Sequence, residues 1–356
     1  MNKLKLMSGN EALAESAIRA GCRFFFGYPI TPQGELLEYM ARRLPEVGGT
    51  FLQSESEIAA INMVFGAASA GMRVITASSS TGISLMQEGL SFLATAELPC
   101  LVVNIMRAGP GLGRVKPSQG DYLQATKGGG HGDYHTIVLA PATAQEMADL
   151  AFEGFSIADK YRNPVMILSD GMLGQMMEPV ILPDSVSVDQ LPQKSWAVTG
   201  SRDRGRNLVL AAPYTDDELI ELNAELDRKY ASVRVQEQRW EGKFLDDARL
   251  VVVAFGSSAR ISEDAVVMAR ERGLKVGLVR PITLWPFPEK AFETLRSTVD
   301  AYLTVEMNSG QMVEDVRLAA GVDKPVYHFG HGGGWIPSAQ AVYDEVVRLH
   351  DGSIAR

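Results

Sequence analysis

Short apolar runs alternate with stretches of helical spacing between residues 11 and 168, and the same alternation resumes at residue 249. No other feature narrows the fold as much, because alternating strands and helices close into parallel sheets covered by helices on both faces. In the first stretch, residues 11–20 read as a helix and CRFFFGY (22–28) as a strand closed by Gly27 and Pro29. A helix over 31–44 and a short strand over 50–53 follow. Further strands are read over 73–77, 99–106, 136–140 and 164–168, with helices over 81–96 and 143–160 between them. Thr31 and Pro32 have the pattern of an N-cap followed by a first-turn proline, and Thr143 with Glu146 has capping-box spacing. The second stretch opens on LVVVAFGSSARI, a strand entering a glycine-serine turn. After it come a helix over 262–272, a strand over 275–279, a helix over 288–295, a strand over 301–306, a helix from Gln311, a strand over 325–329 and a last helix to about 349. Between the two stretches, residues 179–247 turn charged and polar, include RDRGR (202–206) and a helix-like 216–230, and read as a linker.

Composition removes several function classes. The 356 residues are 46% hydrophobic and 22% charged, ordinary values for a globular chain long enough for two domains. No apolar run reaches the ~18 residues of a membrane span, and residues 1–6 lack the build of a signal peptide, so a cytoplasmic location and no membrane partner are expected. A net charge of -9 without a basic stripe argues against a nucleic-acid partner. Cys22 and Cys100 each lie in an apolar run and read as buried small hydrophobes. Two isolated cysteines cannot ligate an iron–sulfur cluster, so any electrons must leave through another chain.

The candidates for chemistry cluster near strand ends. QSESEIAAINMVFGAASAG (53–71) is apolar on every face after its polar opening, the pattern of a buried helix. Ser54 and Glu57 have capping-box spacing; alternatively, Glu57 is a desolvated carboxylate of raised pKa, able to share a proton with a cofactor. Thr31 reads as a cap or as a ligand-facing residue where a strand meets a helix. Arg107 ends a strongly apolar strand, where a guanidinium can grip a carboxylate, or is an ordinary interfacial arginine. The glycine-rich 107–135 that follows is long for a loop, which favours a functional role. Its glycines fit neither GxGxxG nor GxxxxGK[ST]. His131 and His135 read as loop histidines, and His328 and His331 as residues of a glycine-rich turn. Ser169-Asp170-Gly171 invites comparison with a diphosphate and magnesium motif, but no Asn-Asn pair follows about thirty residues on, so no metal site is assigned.

Taken together, YPITP (28–32), QSESEIAAINMVFGAASAG, NIMRAGPGLG (104–113), KPSQGDYLQATKGGGHGDYH (116–135) and ILSDG (167–171) resemble the alpha-type chain of 2-oxoacid:ferredoxin oxidoreductases over nearly the whole length. The AGPGLG segment resembles the 3-methyl-2-oxobutanoate (2-oxoisovalerate) branch, since the 2-oxoglutarate branch carries GGPSTG there. The resemblance implies a pyrimidine-binding domain for thiamine diphosphate over residues 1–185, a linker with some helix over 186–247, and a domain like the transketolase C-terminal domain over 248–356. It implies that Glu57 contacts the cofactor's pyrimidine N1′ and drives its imino tautomer; the family places this glutamate nine residues before a glycine, here Gly66. Thr31 matches a threonine near substrate and cofactor, Pro29 and Ile30 line the pocket, and Arg107 holds the 2-oxoacid carboxylate. The diphosphate and magnesium fall to a beta subunit, and iron–sulfur clusters to partner chains, including ferredoxin-like and gamma-type subunits. The implied reaction converts a 2-oxoacid and coenzyme A to acyl-CoA and carbon dioxide while reducing ferredoxin. Other readings are the 2-oxoglutarate or pyruvate branch, a self-contained thiamine enzyme, which needs the missing diphosphate motif, and a non-catalytic adaptor of the same fold.

Overall fold

The computed structural model describes residues 4–354, so the first three residues of the stretch 1–6, which lacks the build of a signal peptide, lie outside it. Strand β1 (Lys5–Ser8) leads into α1 (Gly9–Arg19), followed by β2 (Phe24–Gly27), α2 (Gly34–Glu46), β3 (Thr50–Gln53), α3 (Glu57–Ser69) and β4 (Val74–Ser78). Two short helices, α4 (Thr81–Leu85) and α5 (Gln87–Thr95), stand where one had been expected, and β5 (Cys100–Ala108) follows. The glycine-rich stretch contains β6 (Arg114–Pro117) and α6 (Tyr122–Lys127) before β7 (Ile137–Leu139), α7 (Ala144–Tyr161), β8 (Pro164–Asp170), α8 (Gly171–Gln175) and β9 (Met177–Val180). The polar segment carries the 21-residue α9 (Asp216–Gln236) and then β10 (Trp240–Lys243). The chain ends with β11 (Leu250–Val253), α10 (Gly256–Glu271), β12 (Val276–Pro281), β13 (Thr283–Trp285), α11 (Glu289–Glu293), β14 (Ala301–Glu306), α12 (Met312–Ala320), β15 (Val326–Gly330) and α13 (Ala339–Leu349).

The first sheet runs β13-β7-β8-β5-β4-β2-β3, parallel from β7 to β3, with β6 hung on β5. The second runs β10-β12-β11-β14-β15, parallel except for its edge strand β10. Because side chains alternate along a strand, β11 serves two cores. Val251 and Val253 join the large core shared with the first sheet, while Leu250 and Val252 face a separate core beneath α10 and α13. The polar segment is more than a linker: Leu226, Tyr230 and Val233 of α9 are buried in the large core, and β10 completes the second sheet. In the opposite direction, β13 leaves the second sheet and pairs antiparallel with β7 at the edge of the first. Arg280 adds a polar tie, with a two-pronged bond to Glu146 of α7 (2.9 and 2.7 Å) and another to Glu241 of β10. Cys22 and Cys100 are both buried and free.

His135 shows how tightly the end of the glycine-rich stretch is packed. Its ring stacks on Trp285 at 4.2 Å and meets Tyr230 edge-on at 5.1 Å. Burial, helped by the nearby Arg234 cation, pushes its pKa down to about 4 from 6.5. The folded protein therefore binds fewer protons than the unfolded chain between those values, and stability falls as pH drops through that window. His135→Phe keeps a ring but cannot take up a proton. Its thermal midpoint is expected to fall less than the wild type's between pH 7 and pH ~4.5; equal losses would show that His135 does not contribute.

Candidate functional site

Strands β2, β3, β4 and β5 end on one edge of the first sheet, with β3 on one side of β2 and β4 on the other. In open α/β sheets that reversal of order opens a ligand crevice at the carboxyl ends of the strands. Residues 28–31 leave β2 there, Tyr28, Pro29 and Thr31 exposed and Ile30 half-buried. Glu57 stands just beyond β3, and Arg107 lies near the end of β5.

Glu57 is the first residue of α3 and only 6% exposed. The capping box read at Ser54 and Glu57 does not form. Ser54 is still tied to the sheet, its N–H donating to the Gly27 carbonyl at 2.9 Å, and its hydroxyl donates to the Ser56 carbonyl. Ser56 is the cap instead, its hydroxyl accepting from the Ala59 N–H at 3.3 Å. The Glu57 carboxylate is thus free of capping; its hydrogen bond among the described residues comes from Ser78 Oγ, at 3.4 Å. Nor is α3 buried all round: Ala60, Ile61, Val64 and Ala68 face the core, but Ile58 is 48% exposed. An all-apolar sequence cannot distinguish burial within the chain from a face left for another surface.

Thr31 does not cap α2. That helix begins at Gly34 after Gln33, whose side chain makes no capping bond, and the Thr31-Pro32 peptide is cis. Thr31 instead meets Arg107, whose Nη1 donates to its carbonyl at 3.1 Å. Arg107 Nη2 donates to Thr81 Oγ1 (3.3 Å) and the Leu112 carbonyl (2.9 Å), while Nε is buried without a partner. All three acceptors are neutral oxygens around a guanidinium only 8% exposed. A cation in that position gains most from an anion placed against it.

Residues that the sequence reading passed over complete the cluster. The run Ser78-Ser79-Ser80-Thr81-Gly82 joins β4 to α4. A strand ending in four hydroxyl residues and a glycine was the available signal. A Cβ on Gly82 would lie 2.0 Å from Ser78 Oγ and 2.4 Å from Glu57 Oε1, so only glycine fits beside that carboxylate. Gly82→Ala is expected to displace Glu57, costing ~1 to 3 kcal/mol of stability from overpacking and at least ~10-fold in turnover. Wild-type turnover in that variant would mean that the Glu57 position is not critical. Asp121, beyond the loop, accepts from Ser80 Oγ (2.6 Å) and Asn104 Nδ2 (2.9 Å), and burial raises its pKa against those two bonds.

None of the other sequence candidates hydrogen-bonds to Glu57, Thr31 or Arg107 among the described residues, although Asp170 stands beside Met106 across β8 and β5. Asp170 is 1% exposed and caps α8, accepting from the Met172 and Leu173 N–H groups. His131 is exposed in its loop. His328 lies 4.0 Å from Glu306 on the second sheet, and His331 packs edge-on against Trp335. No helix among the described residues is long and apolar enough to cross a membrane.

Comparison with known proteins gives the following. Residues 15–233 match the family described as pyruvate flavodoxin/ferredoxin oxidoreductase, thiamine diphosphate-binding, and residues 248–342 match pyruvate:ferredoxin oxidoreductase core domain II. The ketoisovalerate oxidoreductase subunit VorB of Methanothermobacter thermautotrophicus is 53% identical over 317 residues, 89% of this chain and 90% of that one. The 2-oxoglutarate synthase subunit KorA of Methanocaldococcus jannaschii is 40% identical, covering 88% of this chain and 91% of its own. Among solved structures, the 2-oxoglutarate:ferredoxin oxidoreductase from Magnetococcus marinus, with 2-oxoglutarate, coenzyme A and succinyl-CoA bound, superposes with a TM-score of 0.87 at 27% identity. The match covers 98% of this chain and 65% of that chain, so this chain spans about two-thirds of its length. A split-gene transketolase, in an inactive beta4 tetramer, shares the fold over 96% of this chain and 97% of its own, with a TM-score of 0.60 at 12% identity.

Proposed function

The chain belongs to the pyruvate flavodoxin/ferredoxin oxidoreductase family as an alpha-type subunit, and on that premise we propose that its β2–β5 edge is one half of a thiamine diphosphate site acting on 3-methyl-2-oxobutanoate. The observation that carries this reading is the pairing, on one edge, of a buried carboxylate free of capping with a buried guanidinium surrounded by neutral oxygens. The residues fit the cofactor and its substrate: Glu57 has acceptor capacity to spare and is held close against Gly82, and Arg107 Nε is a buried donor with no partner among the described residues. Thiamine diphosphate, when bound, supplies the carbon nucleophile and the electron sink for oxidative decarboxylation of a 2-oxoacid.

Each residue of this chain then has a defined task. Glu57, dry and fixed at the start of α3, exchanges a proton with the pyrimidine N1′, where a carboxylate in a desolvated pocket is effective. Arg107 receives the carboxylate of the 2-oxoacid, fixed by the Thr31 and Leu112 carbonyls and the Thr81 hydroxyl. Pro29, Ile30 and Thr31 form the wall between them. Leu112, 79% exposed in the loop that follows β5 and bonded through its carbonyl to Arg107, offers aliphatic surface that suits a branched side chain better than a second carboxylate.

The diphosphate and magnesium belong to a beta subunit on this reading, since Asp170 is engaged as a helix cap. Exposed Leu52, Ile58, Leu85 and Leu112 around the site are the surface that subunit covers. Iron–sulfur clusters lie on partner chains of ferredoxin-like and gamma type, coenzyme A takes the acyl group, ferredoxin takes the electrons, and the complex works in the cytoplasm. Residues 1–185 act as the pyrimidine-binding domain, 186–247 as the connection and 248–356 as the transketolase C-terminal-like domain. The test is viologen reduction by the reconstituted complex over a panel of 2-oxoacids with coenzyme A. Highest kcat/KM for 3-methyl-2-oxobutanoate is expected; preference for 2-oxoglutarate or pyruvate would move the chain to another branch.

A further inference from the structure

Residues 118–123, downstream of Arg107, are held from two directions. On one side they are tied to the second sheet. Gln119 is fully buried; its Oε1 accepts from Ser258 Oγ (2.7 Å) and the Met307 N–H (3.1 Å), and its Nε2 donates to the Phe255 carbonyl (2.8 Å). Asn308 Nδ2 donates to the Gln119 carbonyl, and Gln311 both donates to the Gly120 carbonyl and accepts from the Leu123 N–H. The Tyr122 hydroxyl donates to Asp315 at 2.6 Å. These anchors lie just past β11 and β14 and on or beside α12. In the midst of them, Asp121 reaches toward the first sheet, to Ser80 and Asn104.

Ser80 is where the backbone is strained. Its φ of 31° and ψ of -79° place a non-glycine residue outside the regions L-residues favour, and such conformations persist only where the surroundings over-determine them. Its N–H donates to Asn104 Oδ1 (3.0 Å), and its Oγ donates to Asp121 while accepting from the Arg107 N–H (3.0 Å). Its neighbours in the chain face the reacting groups: Ser78 meets Glu57, and Thr81 receives Arg107 Nη2. Without Asp121, the Asn104 amide loses this acceptor and the Ser80 hydroxyl keeps only its longer bond to the Arg107 carbonyl (3.3 Å), so the turn can relax, carrying Ser78 and Thr81 with it.

We propose that Asp121 is a positioning residue through which the second sheet holds the strained Ser80 turn, and thereby fixes Arg107 and Glu57 for the 2-oxoacid. The proposal rests on the reading of Glu57 and Arg107 given above. What the turn requires from Asp121 is an acceptor oxygen, which asparagine also supplies. In the complete complex with its partner subunits, Asp121→Ala is expected to raise KM for 3-methyl-2-oxobutanoate at least ~10-fold and to lower kcat severalfold. Asp121→Asn is expected to stay within about threefold of wild type, and thiamine diphosphate binding to persist in both. If Asp121→Ala fails to assemble, Ser80→Ala removes the same bond from the other side and is expected to raise KM alike. Wild-type KM in Asp121→Ala or Ser80→Ala, or an Asp121→Asn as impaired as Asp121→Ala, overturns the proposal. Glu57→Gln separates the two levels: if it is inactive while Asp121→Ala is normal, only the positioning role fails; if it is fully active, the site reading fails and the proposal with it.

Discussion

Glu57→Gln should lose turnover of the reconstituted complex by ~10² to 10⁴-fold, the range attributable to a positioned proton-transfer group, while the fold stays intact. Glutamine has nearly the same volume and keeps an oxygen for the Ser78 hydroxyl, so the packing at the start of α3 need not change. What it cannot do is take up and return a proton. The Ser56 cap is independent of residue 57's side chain, so helix stability gives no competing explanation for lost activity. Equal thermal midpoints together with lost viologen reduction would assign the defect to chemistry. Wild-type turnover would remove Glu57 from the mechanism.

Arg107→Ala should be nearly as damaging, but through substrate use. Truncating one partner of a buried charge pair costs ~2 to 5 kcal/mol, so kcat/KM for the 2-oxoacid should fall ~30-fold to several thousandfold. The loss should appear mostly in KM, since on the proposed reading the guanidinium holds the carboxylate before reaction as well as during it. Arg107→Lys should recover little, because an ammonium lacks the planar fork that here serves the Thr31 and Leu112 carbonyls and the Thr81 hydroxyl while keeping Nε free. An unchanged KM in Arg107→Ala would place the 2-oxoacid carboxylate elsewhere.

The parallel strands were legible because they are apolar on both faces: β5 and β8 are buried at every position, and their sequences announce it. The short polar strands were not. β10 (Trp-Glu-Gly-Lys) is a half-exposed edge strand whose pairing with β12 is decided by tertiary context, and β13 is three residues that cross to the other sheet. The N-cap assignments failed at Ser54 and Thr31 for one reason. Both are held by neighbouring segments, Ser54 by the Gly27 carbonyl and Thr31 by Arg107, and the helix starts only where those restraints end. Of the site, Glu57, Thr31 and Arg107 could be singled out because carboxylate, hydroxyl and guanidinium stood at strand ends. The hydroxyl run through Ser80 was visible, but the roles of Asp121 and Ser80 were not, since they depend on a contact spanning 41 residues and on a backbone angle that serine rarely adopts.

The central claim is that this chain contributes half of a thiamine diphosphate site. It is tested most directly by titrating thiamine diphosphate and magnesium into this chain alone, into the proposed beta subunit alone and into the two together, with 2-oxoacid-dependent viologen reduction read on the same samples. Turnover confined to the mixture, with saturable cofactor binding there and loss of turnover with Glu57→Gln, is the predicted result. Cofactor-dependent turnover by this chain alone, or no thiamine diphosphate binding in any combination, would contradict it.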